Sequence, residues 1–300
     1  MTYSIAARDP VTGELGVAVQ SGTFGVGTVV PWARPGVGAV ATQAIAEPAY
    51  GPRCLDALAA GSSATAALEA AATADAASFL RQVGVVAADG TVAAVTGEGC
   101  IDHAGHLLGD GFAVQANMMA SPRVWPAMAD AFSAAVGPLP GRLLAALEAA
   151  QRAGGDARGM MSAALLVVGG QPADPWAGRL VDLRVDRAAD PVADLRGLLE
   201  ASDAYAILGQ AVDELLGGDS GAALSHVMAG LDMLPGEENL RFLRAGALVA
   251  RGDLGGGRDE LRSLLAARPS WEVIIRSFAA KGLLAVPPDV SVDTLLAEAR

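Results

Sequence analysis

Strand-period and helix-period segments come in blocks along this chain, and that grouping restricts its fold more than any other feature. Tyr3 to Arg8 and Leu15 to Gln20 are short β-prone runs around Asp9-Pro10-Val11-Thr12-Gly13-Glu14, a turn composition that predicts a hairpin. Gly25 to Val30 and Val37 to Thr42 follow as two more predicted strands. Their link, Pro31-Trp32-Ala33-Arg34-Pro35-Gly36, reads as a rigid turn with Arg34 at its tip. Alanine-rich helical runs occupy about Pro52 to Ala60 and Ser63 to Thr73. Strands at Gln82 to Ala88 and Thr91 to Val95 flank Asp89-Gly90, the strongest short hairpin signal in the chain, and Phe112 to Met118 adds another. Helices return at Pro122 to Ala135, entered by Ser121 as its cap, and at Gly141 to Ala153. Strands Ser162 to Val168 and Arg179 to Val185 follow, then a helix from about Pro191 to Glu200. This order favours an antiparallel α+β arrangement over alternating βαβ units. Two sheets, each covered on one side by a helix pair, would make four layers, αββα.

After residue 200 the strand patterns vanish. Shifting the chain by 34 residues aligns Gly218-Asp219 with Gly252-Asp253, Ala211 with Ala245, Leu231 with Leu265, and Pro235 with Pro269. A 34-residue period with a turn midway and a proline at the end is the pattern of tetratricopeptide-like helix pairs. Two such units and a closing helix at about Trp271 to Lys281 bury their apolar faces only by stacking. With 300 residues, one large domain over 1–200 and a helical domain over 201–300 is the expected division.

An apolar share of 52% is ample for a core. The longest apolar runs, such as Met161 to Val168, are too short to cross a bilayer, and the start of the chain lacks the charged-then-apolar pattern of a signal peptide. Two cysteines, Cys54 and Cys100, make no disulfide framework. A cytoplasmic protein with no membrane partner is expected. The net charge of -12 and the lack of a basic tract argue against nucleic acid. The one lysine is Lys281, so chemistry in the first domain cannot use a lysine.

Thr2 has two readings. It is a β-former opening a strand, or, once the initiator Met1 is trimmed, a nucleophile whose own α-amine takes the hydroxyl proton. Cys100, His103 and His106, within Glu98-Gly99-Cys100-Ile101-Asp102-His103-Ala104-Gly105-His106, offer a thiolate and two imidazoles. A single cluster of this kind lacks the second ligand pair of structural zinc sites, and reads equally as a polar connection. Gln115 and Asn117 alternate with apolar neighbours on a predicted strand and so face one side. An amide there can donate to a developing oxyanion or satisfy a buried backbone group. Gly154-Gly155-Asp156-Ala157-Arg158-Gly159 has the look of a shaped loop, and it matches no phosphate-binding pattern; no cofactor is expected.

The runs TYSIAARDPVTGELGVAV, VGTVVPWARPGVGAVATQA, EGCIDHAGH, GDGFAVQANMM, AGGDARGMMSAALLVV and RLVDLRVD, in this order and spacing, resemble a bacterial domain-of-unknown-function family assigned to the N-terminal nucleophile (Ntn) hydrolase fold. The likeness covers about residues 1–200. It implies a proteasome-like αββα sandwich and amide hydrolysis through an acyl-enzyme ester on Thr2. Asn117 or backbone amides would hold the oxyanion. Arg34 would take the electrostatic place that proteasome-like enzymes give to lysine, and Asp156, Arg158 and Ser162 would orient the amine. Gln43, Gln115 and Arg158 are the candidate substrate contacts. Some members carry a C-terminal helical region labelled peptidoglycan-binding, which residues 201–300 resemble.

The expected function is therefore hydrolysis of a small amide or short peptide. The alternative is a non-catalytic module that binds a peptide, a peptidoglycan fragment or a protein partner. A metal-dependent hydrolase at Cys100, His103 and His106 is a third possibility. An exposed sheet edge or repeat surface favours a homodimer.

Overall fold

The computed structural model describes residues 2–174, 176–284, 286 and 290–297. The chain forms two compact units, Met1–Leu199 and Glu200–Arg300. The first contains β1 (Thr2–Arg8), β2 (Leu15–Ser21), β3 (Pro31–Arg34), β4 (Gly38–Ala44), α1 (Tyr50–Ala59), α2 (Ala64–Thr73), β5 (Arg81–Ala87), β6 (Val92–Thr96), β7 (Gly105–Gly109), β8 (Phe112–Asn117), α3 (Val124–Ala134), α4 (Leu139–Arg152), β9 (Ser162–Val168) and β10 (Arg179–Val185). The division falls within α5 (Pro191–Leu216), and the second unit continues with α6 (Ser220–Met233), α7 (Glu238–Ala250), α8 (Leu254–Ala267), α9 (Trp271–Ala280) and α10 (Val292–Ala297).

The strands form two antiparallel sheets: a six-stranded one, β10-β9-β2-β1-β8-β7, and a four-stranded one, β3-β4-β5-β6. Side-chain alternation sorts the residues of each strand between two cores. From β1, Tyr3, Ile5 and Ala7 pack with Met128 and Phe132 of α3 and Leu143 and Leu147 of α4. The opposite face contributes Ala6, which meets Val17 and Val19 of β2 and Ala39, Ala41 and Val86 of the other sheet. On the far side of that sheet, Val40, Val83 and Val85 pack against Tyr50 and Leu55 of α1 and Ala67 and Leu68 of α2. The layers thus run α3–α4, six-stranded sheet, four-stranded sheet, α1–α2. Each large apolar side chain buried this way contributes about 1.5–3 kcal/mol.

Local signals explain most of the elements. The β1–β2 turn closes because Asp9 Oδ1 accepts from the backbone N–H groups of Val11 and Thr12 at 2.8 and 3.0 Å, while Gly13 takes φ 76°. Ser63 caps α2, its hydroxyl accepting from Ala66 N at 3.2 Å.

Five elements differ from the sequence expectation, one of them being α5, expected to end near Glu200 but continuous to Leu216. Gly25 to Val30 is not a strand: Gly25 is left-handed and Val26–Thr28 is a 3-10 turn, fastened by Val26 N donating to Ser162 Oγ at 3.0 Å. Pro31–Arg34, expected as a turn, is the edge strand β3, where a leading proline loses no ladder bond. Gly105–Gly109 is the edge strand β7, formed by pairing with β8; with Leu107 and Leu108 both exposed, it carries no alternation to read. Arg123, not Ser121, is the residue before α3, although Ser121 Oγ accepts from Arg123 N at 3.2 Å.

In the second unit the 34-residue period is a period of caps and ends. Gly218 and Gly252 both adopt φ 85°. Asp219 and Asp253 then cap α6 and α8, accepting from Ala222 N and Gly256 N at 2.9 Å each. Leu231, Leu240, Leu243, Leu261, Leu264 and Ile275 form this unit's own core. Among the described residues no helix is long and apolar enough to cross a membrane.

Candidate active site

The face between the two sheets is apolar along most of its length and turns polar at one end. The alternation that puts Ala6, Ala41, Val86 and Ala113 in the intersheet core continues to Thr2, Ser4, Gln43, Gln82, Gln115 and Asn117, all buried. Buried amides need partners, and these largely find one another. Gln43 Nε2 donates to Thr2 O at 3.1 Å and to Gln82 Oε1 at 2.7 Å, while Ser4 Oγ donates to Gln43 Oε1 at 2.7 Å. Asn117 Nδ2 donates to Gln82 Oε1 at 2.8 Å and lies 3.4 Å from Thr2 O. Gln115 Nε2 donates to Ser4 Oγ at 2.6 Å. Gly84 makes room for it: a Cβ there would stand 2.3 Å from Gln115 Oε1.

Thr2 heads β1, between Ser21 of β2 and Asn117 of β8. It is only 5% exposed, and its Oγ1 donates to Ser21 Oγ at 3.1 Å. The segment after Ser21 is held from the loop that precedes β9. Asp156 Oδ2 accepts from Gly22 N at 2.9 Å, and Asp156 pairs with Arg158 at 3.0 Å. Arg158 Nη1 donates to Thr23 Oγ1 at 3.1 Å, and Ser162 Oγ donates to Thr23 O at 2.5 Å.

Beside this corner lies a cavity of about 360 Å³, lined by Thr23, Asn117 and Arg158 together with Ile45, Leu80 and Ile101. Ala44 and Met118, which also line it, have φ of 71° and 59°. These left-handed conformations occur immediately after Gln43 and Asn117, and non-glycine residues held this way cluster at functional sites. A third such residue, His103 (φ 54°), accepts from Met119 N through its carbonyl at 3.3 Å. Arg81 braces the backbone at Ile45. It pairs with Asp75 at 2.8 Å and donates from Nη1 to Ile45 O at 2.6 Å. The Arg81 guanidinium holds the Asp75 carboxyl down to about 2.

The structure gathers Thr2, Asn117, Asp156, Arg158 and Ser162 around one corner. Of these, Asn117 and Arg158 line the cavity, whereas Thr2, Asp156 and Ser162 are buried beside it; Gln43 and Gln115 lie inside the intersheet network and do not line it either. Arg34 is elsewhere. It pairs with Asp56 at 2.7 Å on the surface and sits opposite Gly38, at the other end of β4 from Gln43. Cys100, His103 and His106 diverge: the thiol faces the carbonyls of Leu80 and Arg81, His103 Nδ1 faces Met119 O, and His106 Nδ1 meets Thr96 Oγ1. Among the described residues no group of three His, Cys, Asp or Glu could hold a metal ion. Burial pushes the Cys100 thiol up and the Cys54 thiol up to about 12, so neither is a ready thiolate. Residue 1 lies outside the described residues.

Sequence reasoning missed Ser21, Gln82 and Thr23. The first was recoverable: Leu15, Val17 and Val19 alternate along β2, and Ser21 is the polar continuation of that face.

The family model described as "Family of unknown function (DUF1028)" matches residues 2–195. A crystal structure of protein SPO2555 from Silicibacter pomeroyi, titled with the same family model, is similar at 33% identity and a TM-score of 0.60, covering 66% of this chain and 87% of that one. No curated protein matches the chain.

Proposed function

The chain belongs to the DUF1028 family of unknown function, and on that premise we propose that it is an Ntn-type amidohydrolase with Thr2 as its nucleophile. The observation that carries this reading is the setting of Thr2. Its hydroxyl is hydrogen-bonded to Ser21 at 3.1 Å, its carbonyl accepts from Gln43 at 3.1 Å, and its strand neighbour Asn117 lines a cavity. The four-layer order of helices and sheets agrees with an Ntn sandwich over residues 1–200. The cap repeat agrees with a tetratricopeptide-like helical domain over residues 201–300.

Cutting the peptide bond before Thr2 frees its α-amine. The Thr2 hydroxyl oxygen adds to the substrate's amide carbon while its proton passes to that amine. Asn117 or nearby backbone N–H groups stabilise the oxyanion. The C–N bond breaks, the α-amine returns the proton to the leaving nitrogen, and water hydrolyses the Thr2 ester. Ser21 positions the hydroxyl. Asp156, Arg158 and Ser162 position the segment that carries Thr23. Arg34, on β3 beside the far end of β4, has no part in this scheme.

Intact-mass measurement should find the chain beginning at Thr2. An electrophilic amide mimic should then label the wild type and spare Thr2→Ala. A retained residue 1, or equal labelling of both proteins, overturns the enzyme reading in favour of a non-catalytic binding module.

A further inference from the structure

The cavity beside Asn117 has a mixed lining. Thr23, Asn117 and Arg158 supply its polar lining, and Ile45, Leu80, Ile101 and Met118 supply most of its apolar lining. Ile45 and Ile101 remain 57% and 55% exposed, although their backbones are fastened. Arg81 Nη1 donates to Ile45 O at 2.6 Å, and Met118 N donates to Ile101 O at 3.2 Å. Single exposed aliphatic side chains need no explanation. Two that share one cavity with two further apolar side chains, next to a candidate nucleophile, form a surface suited to apolar contact.

We infer that this apolar lining receives an aliphatic acyl chain of the substrate amide, an assignment that rests on the Thr2 reading for its chemistry. The acyl part stays bound through the ester stage while an amine departs and water enters. Both of those are polar and suit Thr23 and Arg158, whereas the aliphatic side chains offer them few partners. The volume limits the chain. At roughly 30 Å³ per water-sized group, about 360 Å³ holds a medium-length acyl group.

The test uses full-length protein and N-acyl glycinamides with straight acyl chains of increasing length. Titration calorimetry on Thr2→Val, which keeps the β-branched shape without the hydroxyl, reads binding alone. Affinity should rise up to about fourfold per added methylene and then level off as the cavity fills. Ile101→Asp and Ile45→Asp, both at exposed positions, should each abolish that dependence. Affinity independent of chain length, or a dependence unchanged in both aspartate variants, overturns the assignment. Labelling of wild-type Thr2 is scored separately. A chain-length dependence without labelling leaves the acyl assignment standing and removes the catalytic reading; labelling without the dependence does the reverse.

Discussion

Gln43, on the four-stranded sheet, donates from Nε2 to the carbonyl oxygen of Thr2, on the six-stranded sheet, across 3.1 Å. One side-chain amide therefore ties the first residue of a central strand to the facing sheet. The same nitrogen reaches Gln82 Oε1 at 2.7 Å, so the tie belongs to a network whose members lose together. Replacing Gln43 by Leu leaves the Thr2 carbonyl with fewer donors and strips Ser4 Oγ of its acceptor. Unfolding in urea should show a loss of about 3 kcal/mol, from buried polar groups worth about 1–3 kcal/mol each when unpaired. A loss below about 1 kcal/mol would show that the network does not hold the corner.

The space around Gln115 gives a second expectation. A Cβ on Gly84 would meet Gln115 Oε1 at 2.3 Å, whereas one on Gly141 of α4 would meet nothing within 4 Å. Gly84→Ala should destabilise by about 1–3 kcal/mol through overpacking. Gly141→Ala should stabilise by up to about 1 kcal/mol. Denaturation midpoints of the two variants should thus move in opposite directions.

The Arg81–Asp75 pair carries a pH dependence. The Asp75 carboxyl is held down from its ordinary 3.8 to about 2 in the folded protein. A group depressed on folding adds stability above its unfolded value and loses it as pH falls through the folded one. Stability should therefore drop between about pH 4 and pH 2, and Asp75→Asn should flatten that part of the profile. Thermal melts across this range measure both, and an unchanged slope in the variant would exclude Asp75 as the source.

Arg34 and Arg158 should behave differently. The Arg34–Asp56 pair is at the surface, with 70% of the Asp56 side chain exposed, so Arg34→Ala should cost under about 1 kcal/mol and leave Thr2 labelling unchanged. Asp156 is fully enclosed where it meets Arg158. Arg158→Ala should cost about 2 kcal/mol and slow Thr2 labelling, because the Gly22–Thr23 segment loses its support. Equal labelling rates in the two variants would refute the difference.

Asp219 and Asp253 cap equivalent helices with equal 2.9 Å bonds. Asp219→Ala and Asp253→Ala should each cost about 1 kcal/mol. Hydrogen exchange should accelerate in the first turn of α6 in one variant and of α8 in the other. Exchange that rises evenly over both helices in either variant would mean that the caps do not act locally.

The β1–β2 turn, the β5–β6 hairpin around Asp89-Gly90 and the shared side of Gln115 and Asn117 were legible in the sequence, because turn chemistry and period-two alternation are set within a few residues. The 34-residue spacing of Asp219 and Asp253 was legible for the same reason: a cap is a bond between residues three apart. Edge strands were not. β3 begins at a proline and β7 carries two exposed leucines, so each is a strand only because β4 or β8 lies beside it. The meeting of Thr2 with Ser21, Gln43 and Gln82 is of that second kind. Residues from β1, β2, β4 and β5 come together there through sheet register and the approach of two sheets. Arg34, close to Gln43 along the chain, is carried to the opposite end of β4 by the pairing of Arg34 with Gly38. Residue types and their local periods determined which strands and helices form and which side chains share a face. Only tertiary pairing decided which of those faces meet, because contacts between distant segments depend on register and layer packing, which no short stretch of sequence encodes.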